Sequence, residues 1–220
     1  MIDCGLMNNV IIREVEEKDL PALKSLIAEA FGFGWNLERY AQNSTLTEAL
    51  LDIYLSIFLE PAAFGRVAEL DGKAVGVVLC SAKDESPKFK HLIKGVMPNT
   101  LALLNAAEDE RTDITEHISM SFHAITQLLE SRVDTYDGSL ELFVVTESAR
   151  GRKLGKTLWN EACGYFDSLN SKSIYLIADE KCNVGFYDNN GFSRVAANEA
   201  VHNYTTGQRK NNIFLYEYQF

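Results

Sequence analysis

Arg150, Arg152, Lys153 and Lys156 are interleaved with Gly151 and Gly155 in one short stretch of the chain. Ahead of it, Leu140 to Val145 is rich in β-branched and aromatic residues and reads as a strand. Behind it, Leu154, Leu158, Trp159, Ala162, Cys163, Phe166 and Leu169 recur at a spacing that keeps one helical stripe against a core. A strand that breaks into a basic, glycine-bearing loop and then starts a helix leaves backbone N–H groups and positive charge together. That is the chemistry of an anion site. A nucleoside-triphosphate loop, G-x-x-x-x-G-K-[ST], finds its tail in Gly155-Lys156-Thr157, but its leading glycine would fall on Arg150. The register misses by one residue.

The same stretch resembles the GNAT superfamily of N-acyltransferases, whose signature Q/R-x-x-G-x-G/A follows a strand and holds the pyrophosphate of coenzyme A. Arg150, Leu154 and Gly155 fit, whereas Lys153 stands where the family usually has glycine. Downstream, the apolar run Ser173 to Ala178 is followed by Phe186-Tyr187 and Gly191-Phe192, similar to the family's F-Y-x-x-x-G-F pattern. The hairpin at Val67 to Ser81 also suits the family, so the resemblance covers most of the chain except residues 83–138.

The resemblance implies an α/β (α+β) fold, a mixed twisted β-sheet flanked by helices, and acetyl-CoA as co-substrate of an N-acetyltransferase acting on a primary amine of a small molecule or peptide by direct attack. A non-catalytic acyl-CoA sensor of the same fold is the alternative. Backbone N–H groups of Gly151, Arg152, Lys153, Leu154, Gly155 and Lys156 would hold the pyrophosphate, with side-chain charge from Arg150, Arg152 and Lys156. Phe143, Val144 and Val145 would line the pantetheine arm, and Asn183 would bond the pantetheine or the adenosine end. The resemblance puts the Tyr187 phenol beside the thioester sulfur, where it can protonate the leaving group. Strand alternation sets Ser139, Glu141, Phe143 and Val145 on one face, and Glu141 is the candidate base that relays the amine proton through water. Lysine at 153 is expected to keep ordinary helical backbone angles and point outward.

Other elements must position this centre. Val10 to Val15 reads as a strand, followed by a helix opened by Asp19 and Pro21; a loop, Gly32-Phe33-Gly34-Trp35, sits where the family places the acceptor, with Trp35 either packing or touching substrate. Thr45-x-x-Glu48 reads as the capping box of a second helix, and Asp71-Gly72 as the turn of a hairpin. Between the third and fourth strands, residues 83–138 carry a helical pattern at Ile114, Ile118, Phe122, Ile125 and Leu129, with Asp113-x-x-Glu116 as its cap and a shorter helix before Pro98. This insertion covers a sheet edge, forms a dimer contact or makes a lid. The final strands lie near Phe192 to Ala197 and Ile213 to Tyr218, with Gly207 to Lys210 in the connecting loop.

The chain of 220 residues, 46% hydrophobic, is long enough for one sizeable core, and residues 1–220 read as a single domain. A net charge of −10 argues against nucleic-acid or anionic-membrane binding and favours cationic substrates. Cys4, Cys80, Cys163 and Cys182 form no C-x-x-C pair, and His91, His117, His123 and His202 lack metal-ligand spacing, so no metal is expected and the histidines read as surface or capping residues. No leader or membrane span is legible, which predicts a cytoplasmic protein.

Overall fold

The computed structural model describes residues 10–31, 43–94, 96–130 and 132–220; Cys4 and the Trp35 loop lie outside them. Among the described residues the strands form one seven-stranded sheet in the order β1-β2-β3-β4-β5-β7-β6. These are β1 (Val10–Glu14), β2 (Phe64–Leu70), β3 (Lys73–Ala82), β4 (Gly138–Val145), β5 (Ser173–Asp179), β6 (Ser193–Tyr204) and β7 (Gly207–Gln219). Every neighbouring pair is antiparallel except β4 with β5. Asp71 and Gly72 both have positive φ, 51° and 80°, which matches the twist of the β2–β3 hairpin.

Helices cover both faces. On one face, α1 (Leu20–Phe31) and α2 (Ser44–Leu59) bury Leu23, Ile27, Leu46 and Leu50 against Val67, Val77, Leu79, Leu142 and Val144. Farther along that face, α4 (Glu108–Leu129) sets Ala124 and Leu128 on Ala200, Ile213 and Leu215. On the opposite face, α5 (Leu154–Ser168) buries Leu158, Trp159 and Phe166 against Val78, Cys80, Leu140, Ile174 and Tyr216, beside the short α6 (Val184–Asp188). The helical insertion expected between β3 and β4 is therefore present: α3 (Val96–Leu104) and α4 follow a short turn at Lys90–Leu92.

Several boundaries differ from the sequence reading, and at two helices the reason is a competing side chain that takes the capping role. Helix α2 is capped by Asn43, whose Oδ1 accepts the Leu46 N–H at 3.1 Å, so Thr45 and Glu48 lie inside the helix. Helix α4 starts six residues before Ile114, with Glu110 accepting the Ala107 N–H at 3.0 Å. That leaves Asp113 buried mid-helix, where it accepts the Thr205 N–H at 2.7 Å and the Thr205 hydroxyl at 3.1 Å and ties α4 to the β6–β7 turn. Pro98 lies in the first turn of α3 rather than after a helix, a position where its missing N–H costs nothing. Gly207 to Lys210 belongs to β7, since the turn is Thr205-Thr206.

His117 and His202 are not surface residues: they are 5% and 2% exposed, stack with ring centroids 4.9 Å apart, and His117 Nδ1 lies 2.6 Å from the Tyr204 hydroxyl. Burial first, then His202 and Lys181, pushes the His117 pKa down to about 3, and burial likewise lowers that of His202 against the pull of Glu116. His91 and His123 are exposed. No helix among the described residues is long and apolar enough to cross a membrane.

Candidate active site

Parallel strands β4 and β5 pair only at Gly138↔Ile174 and Ser139↔Tyr175. Beyond Ser139 they part, and an unpaired strand edge opens in the middle of the sheet. The Thr146 N–H donates to Val75 O at 2.9 Å, toward β3. Because antiparallel residues alternate in the direction of their backbone groups, the N–H and C=O groups of Phe143 and Val145 point the other way, along the fork. Val144 directs its side chain into the α1–α2 core and its backbone toward β3.

Glu141 occupies an irregularity. β3 pairs Leu79↔Leu142 and then Cys80↔Leu140, so Glu141 is an extra residue in β4, a β-bulge. The alternation expected from the sequence is broken there: Leu140, Phe143 and Val145 pack on the α5 face, whereas Glu141 joins Ser139 and Ser81 on the face of α1 and α2. Ser81 and Ser139 each place a hydroxyl on Glu141 Oε1, at 2.7 and 2.5 Å, and lie 2.7 Å from one another. Oε2 has no hydrogen-bond partner among the described residues.

At the far end of β4 the chain turns through Glu147–Ala149 into the basic loop. Glu29 of α1 fixes this turn by accepting the Thr146 hydroxyl at 2.7 Å and the Glu147 N–H at 2.6 Å, a contact with no sequence signal. Gly151 has φ of 79° and nothing within 4 Å of where a Cβ would stand, so its surroundings are open. Lys153 has φ of 62°, in the left-handed region, which corrects the expectation of helical angles: the loop needs a glycine-like conformation there and the lysine adopts it. The first helical bond of α5 runs from Thr157 N–H to Lys153 O, so the N–H groups of Leu154, Gly155 and Lys156 are not used by the helix. No acidic side chain sits in that first turn and none caps it. Leu154 is buried and anchors the turn, Gly155 faces the Phe186 ring, and Arg150, Arg152 and Lys153 are exposed. Arg150 lies 3.5 Å from Glu147, and Lys156 donates to Asn190 at 3.1 Å.

Tyr187 projects from α6 into an aromatic nest with Phe192 and Tyr216, ring centroids 5.4 Å away in each case, and with Phe143 at 6.5 Å. It is 8% exposed, and burial first, then Cys182, Tyr216 and Asp179, pushes its ionisation upward. The phenol keeps its proton. Asn183, exposed at the start of α6, makes no side-chain capping bond. Glu141 and Tyr187 thus approach the fork from opposite faces of the sheet, with Phe143 between β4 and the aromatic nest. Among the described residues no cluster of three or more His, Cys, Asp or Glu is placed to hold a metal.

Comparison with known proteins agrees with this architecture. The model of the acetyltransferase (GNAT) family matches residues 20–192. Solved structures similar in fold include a protein from Pyrococcus horikoshii (TM-score 0.57, 14% identity, 96% of this chain and 99% of that one). A ribosomal-protein-alanine N-acetyltransferase from Brucella melitensis (TM-score 0.51, 15% identity, 96% and 99%) is another. So is the ribosomal-protein-S18-alanine N-acetyltransferase from Escherichia coli (TM-score 0.50, 12% identity, 96% and 94%). At such identities the likeness speaks for the fold alone. A search of curated proteins found no match.

Proposed function

Because the chain belongs to the GNAT family of acetyltransferases, we propose that it is a single-domain N-acetyltransferase that moves an acetyl group from acetyl-CoA to a primary amine of a small molecule or peptide. The observation that carries this reading is the fork between β4 and β5, which opens directly toward the bare N-terminus of α5. Acetyl-CoA supplies the acyl group as a thioester.

The residues present fit that group. The outward N–H and C=O groups of Phe143 and the C=O of Val145 can pair with the amides of a pantetheine arm as a missing strand would. The N–H groups of residues 151–156 and the charges of Arg150, Arg152 and Lys156 meet the pyrophosphate, over a surface that Gly151 leaves open. Asn183, exposed at the start of α6 with its amide uncommitted to a cap, would bond the pantetheine or the adenosine end.

Direct attack then divides the work among three groups. Glu141 Oε2 takes the proton of the acceptor ammonium through water, leaving a nucleophilic amine. The Val145 N–H donates to the thioester oxygen as it gains negative charge during attack. The Tyr187 hydroxyl gives its proton to sulfur as the C–S bond breaks and the C–N bond forms. Because burial holds that phenol protonated across the neutral range, it acts as a donor.

The test is a panel of primary amines assayed for release of free thiol from acetyl-CoA, preceded by calorimetric titration with coenzyme A. Peptides beginning with alanine belong in the panel, since two structures of similar fold are named as alanine N-acetyltransferases. Binding of coenzyme A and not ATP, with turnover of at least one amine, is expected. Binding without turnover of any amine would favour an acyl-CoA sensor, and binding of ATP alone would overturn the donor assignment.

A further inference from the structure

We propose that Ser81 and Ser139 are positioning residues that lock the bulged Glu141 carboxylate so that only Oε2 faces the acceptor. The inference rests on the reading of Glu141 as the proton relay. A bulged residue is released from the regular ladder, and its side chain is aimed by whatever holds it. Here the two hydroxyls come from opposite strands, β3 and β4, directly paired across the ladder at Ser81↔Ser139. Both reach the same oxygen, Oε1, at 2.7 and 2.5 Å. With two donors on Oε1, that oxygen's lone pairs are occupied, and the carboxylate is fixed in rotation about its own axis as well as in place. Among the described residues, that leaves Oε2 alone to receive a proton.

The clamp is itself anchored at the apex of the fork. Ser139 is 4% exposed and pairs with Tyr175 at the last parallel rung before β4 and β5 part. Burial first, then Glu141, raises the ionisation of Tyr175, so its hydroxyl stays neutral beside the clamp. The aim of Glu141 is thus referred to both strands that define the donor channel. A glutamate with several rotatable bonds, left unclamped on a bulge, would sample orientations in which neither oxygen faces the acceptor.

A double-mutant cycle reads this directly. With whichever amine of the panel turns over fastest, Ser81→Ala/Ser139→Ala should lower kcat by about 10- to 100-fold while the Kd for coenzyme A stays within about twofold. In a Glu141→Gln background the same serine changes should alter kcat by less than about twofold, because the residue they act through is already disabled. Ser139→Thr, which restores the hydroxyl, should recover most of the rate. If Glu141→Gln is impaired but the serine variant runs at the wild-type rate, or its effect adds in full to that of Glu141→Gln, the clamp is refuted while the relay survives. If Glu141→Gln runs at the wild-type rate, the relay reading itself falls. A crystal structure of the serine variant needs no acceptor: Glu141 should leave its wild-type rotamer, and an unchanged carboxylate overturns the inference. Should the double variant fail to fold, Ser81→Ala alone, at the less buried partner, carries the same comparison.

Discussion

Replacing Lys153 by glycine should stabilise the protein, and the loop geometry gives the size of the effect. Lys153 stands at φ 62°, ψ 12°, a left-handed backbone that costs an L-residue about 1–2 kcal/mol. Glycine removes that penalty but loses about 0.5–1 kcal/mol through the greater freedom of the unfolded chain. Taking the middle of each range, the backbone gain is about 0.75 kcal/mol. A second contribution is electrostatic: the lysine lies at the positive end of α5, and removing a cation there is worth about 0.3–1 kcal/mol. Lys153→Ala separates the two, since alanine removes the charge and retains the strained backbone. Melting temperatures followed by circular dichroism should rank Gly above Ala above wild type. For a domain of this size 1 kcal/mol corresponds to about 2–4 °C, so glycine should exceed alanine by about 1.5–3 °C. Coenzyme A titrations should show both variants binding, weakened alike by loss of one cation. Glycine no more stable than alanine would refute the backbone argument. Loss of binding in both would make the Lys153 ammonium a required phosphate ligand.

Three further outcomes follow from the packing. Tyr187→Phe keeps the ring in its nest and should lower kcat by about 10²–10⁴ with the coenzyme A Kd unchanged; wild-type turnover would assign protonation of sulfur to another group. Asp113→Ala deletes a buried carboxylate that accepts the Thr205 N–H and hydroxyl and should cost about 1–3 kcal/mol in urea unfolding, whereas Asp113→Asn, which retains one acceptor, should cost less; equal losses would mean the carboxylate's charge is what matters. His117 is neutral in the fold, with its pKa at about 3 against 6.5 for the free side chain, so the unfolded chain binds more protons between those values. Stability from this group is complete above pH 6.5 and is lost as pH falls, at up to about 1.4 kcal/mol per pH unit. Urea midpoints at pH 7, 5.5 and 4.5 should drop more steeply for wild type than for His117→Gln, and parallel lines would show that His117 is not the group responsible.

What could be read from the sequence divides along the range of the interactions involved. The strand, basic loop and helix of residues 139–158 are encoded by neighbours in the chain, and glycine spacing with helical periodicity is enough to place them. The insertion was legible for the same reason, because the apolar stripe of α4 repeats without reference to any partner. The capping errors are of another kind. Thr45-x-x-Glu48 and Asp113-x-x-Glu116 satisfy a short pattern that many segments satisfy, and only the packed structure shows Asn43 and Glu110 taking the role instead. Once displaced from a cap, Asp113 became the buried tie to Thr205, a use that requires β6 and β7 to be in place.

The bulge at Glu141 marks the limit most sharply. Period-2 alternation is a property of one strand, but a bulge is a relation between two: β4 has one more residue than β3 between the Leu79↔Leu142 and Cys80↔Leu140 pairs. Nothing in Leu140-Glu141-Leu142 announces the extra residue. Its effect is large, because it sends Glu141 to the face opposite Phe143 and Val145 and so to the side of α1 and α2. Had strict alternation held, the carboxylate would have pointed into the apolar α5 face among Val78, Leu158 and Trp159, where a charge without a partner is costly to bury. The two groups proposed for acid–base work are therefore kept apart on purely physical grounds: the ionisable Glu141 lies on the face where two serine hydroxyls can hold it, and the phenol of Tyr187, neutral when buried, lies on the face that is otherwise aromatic.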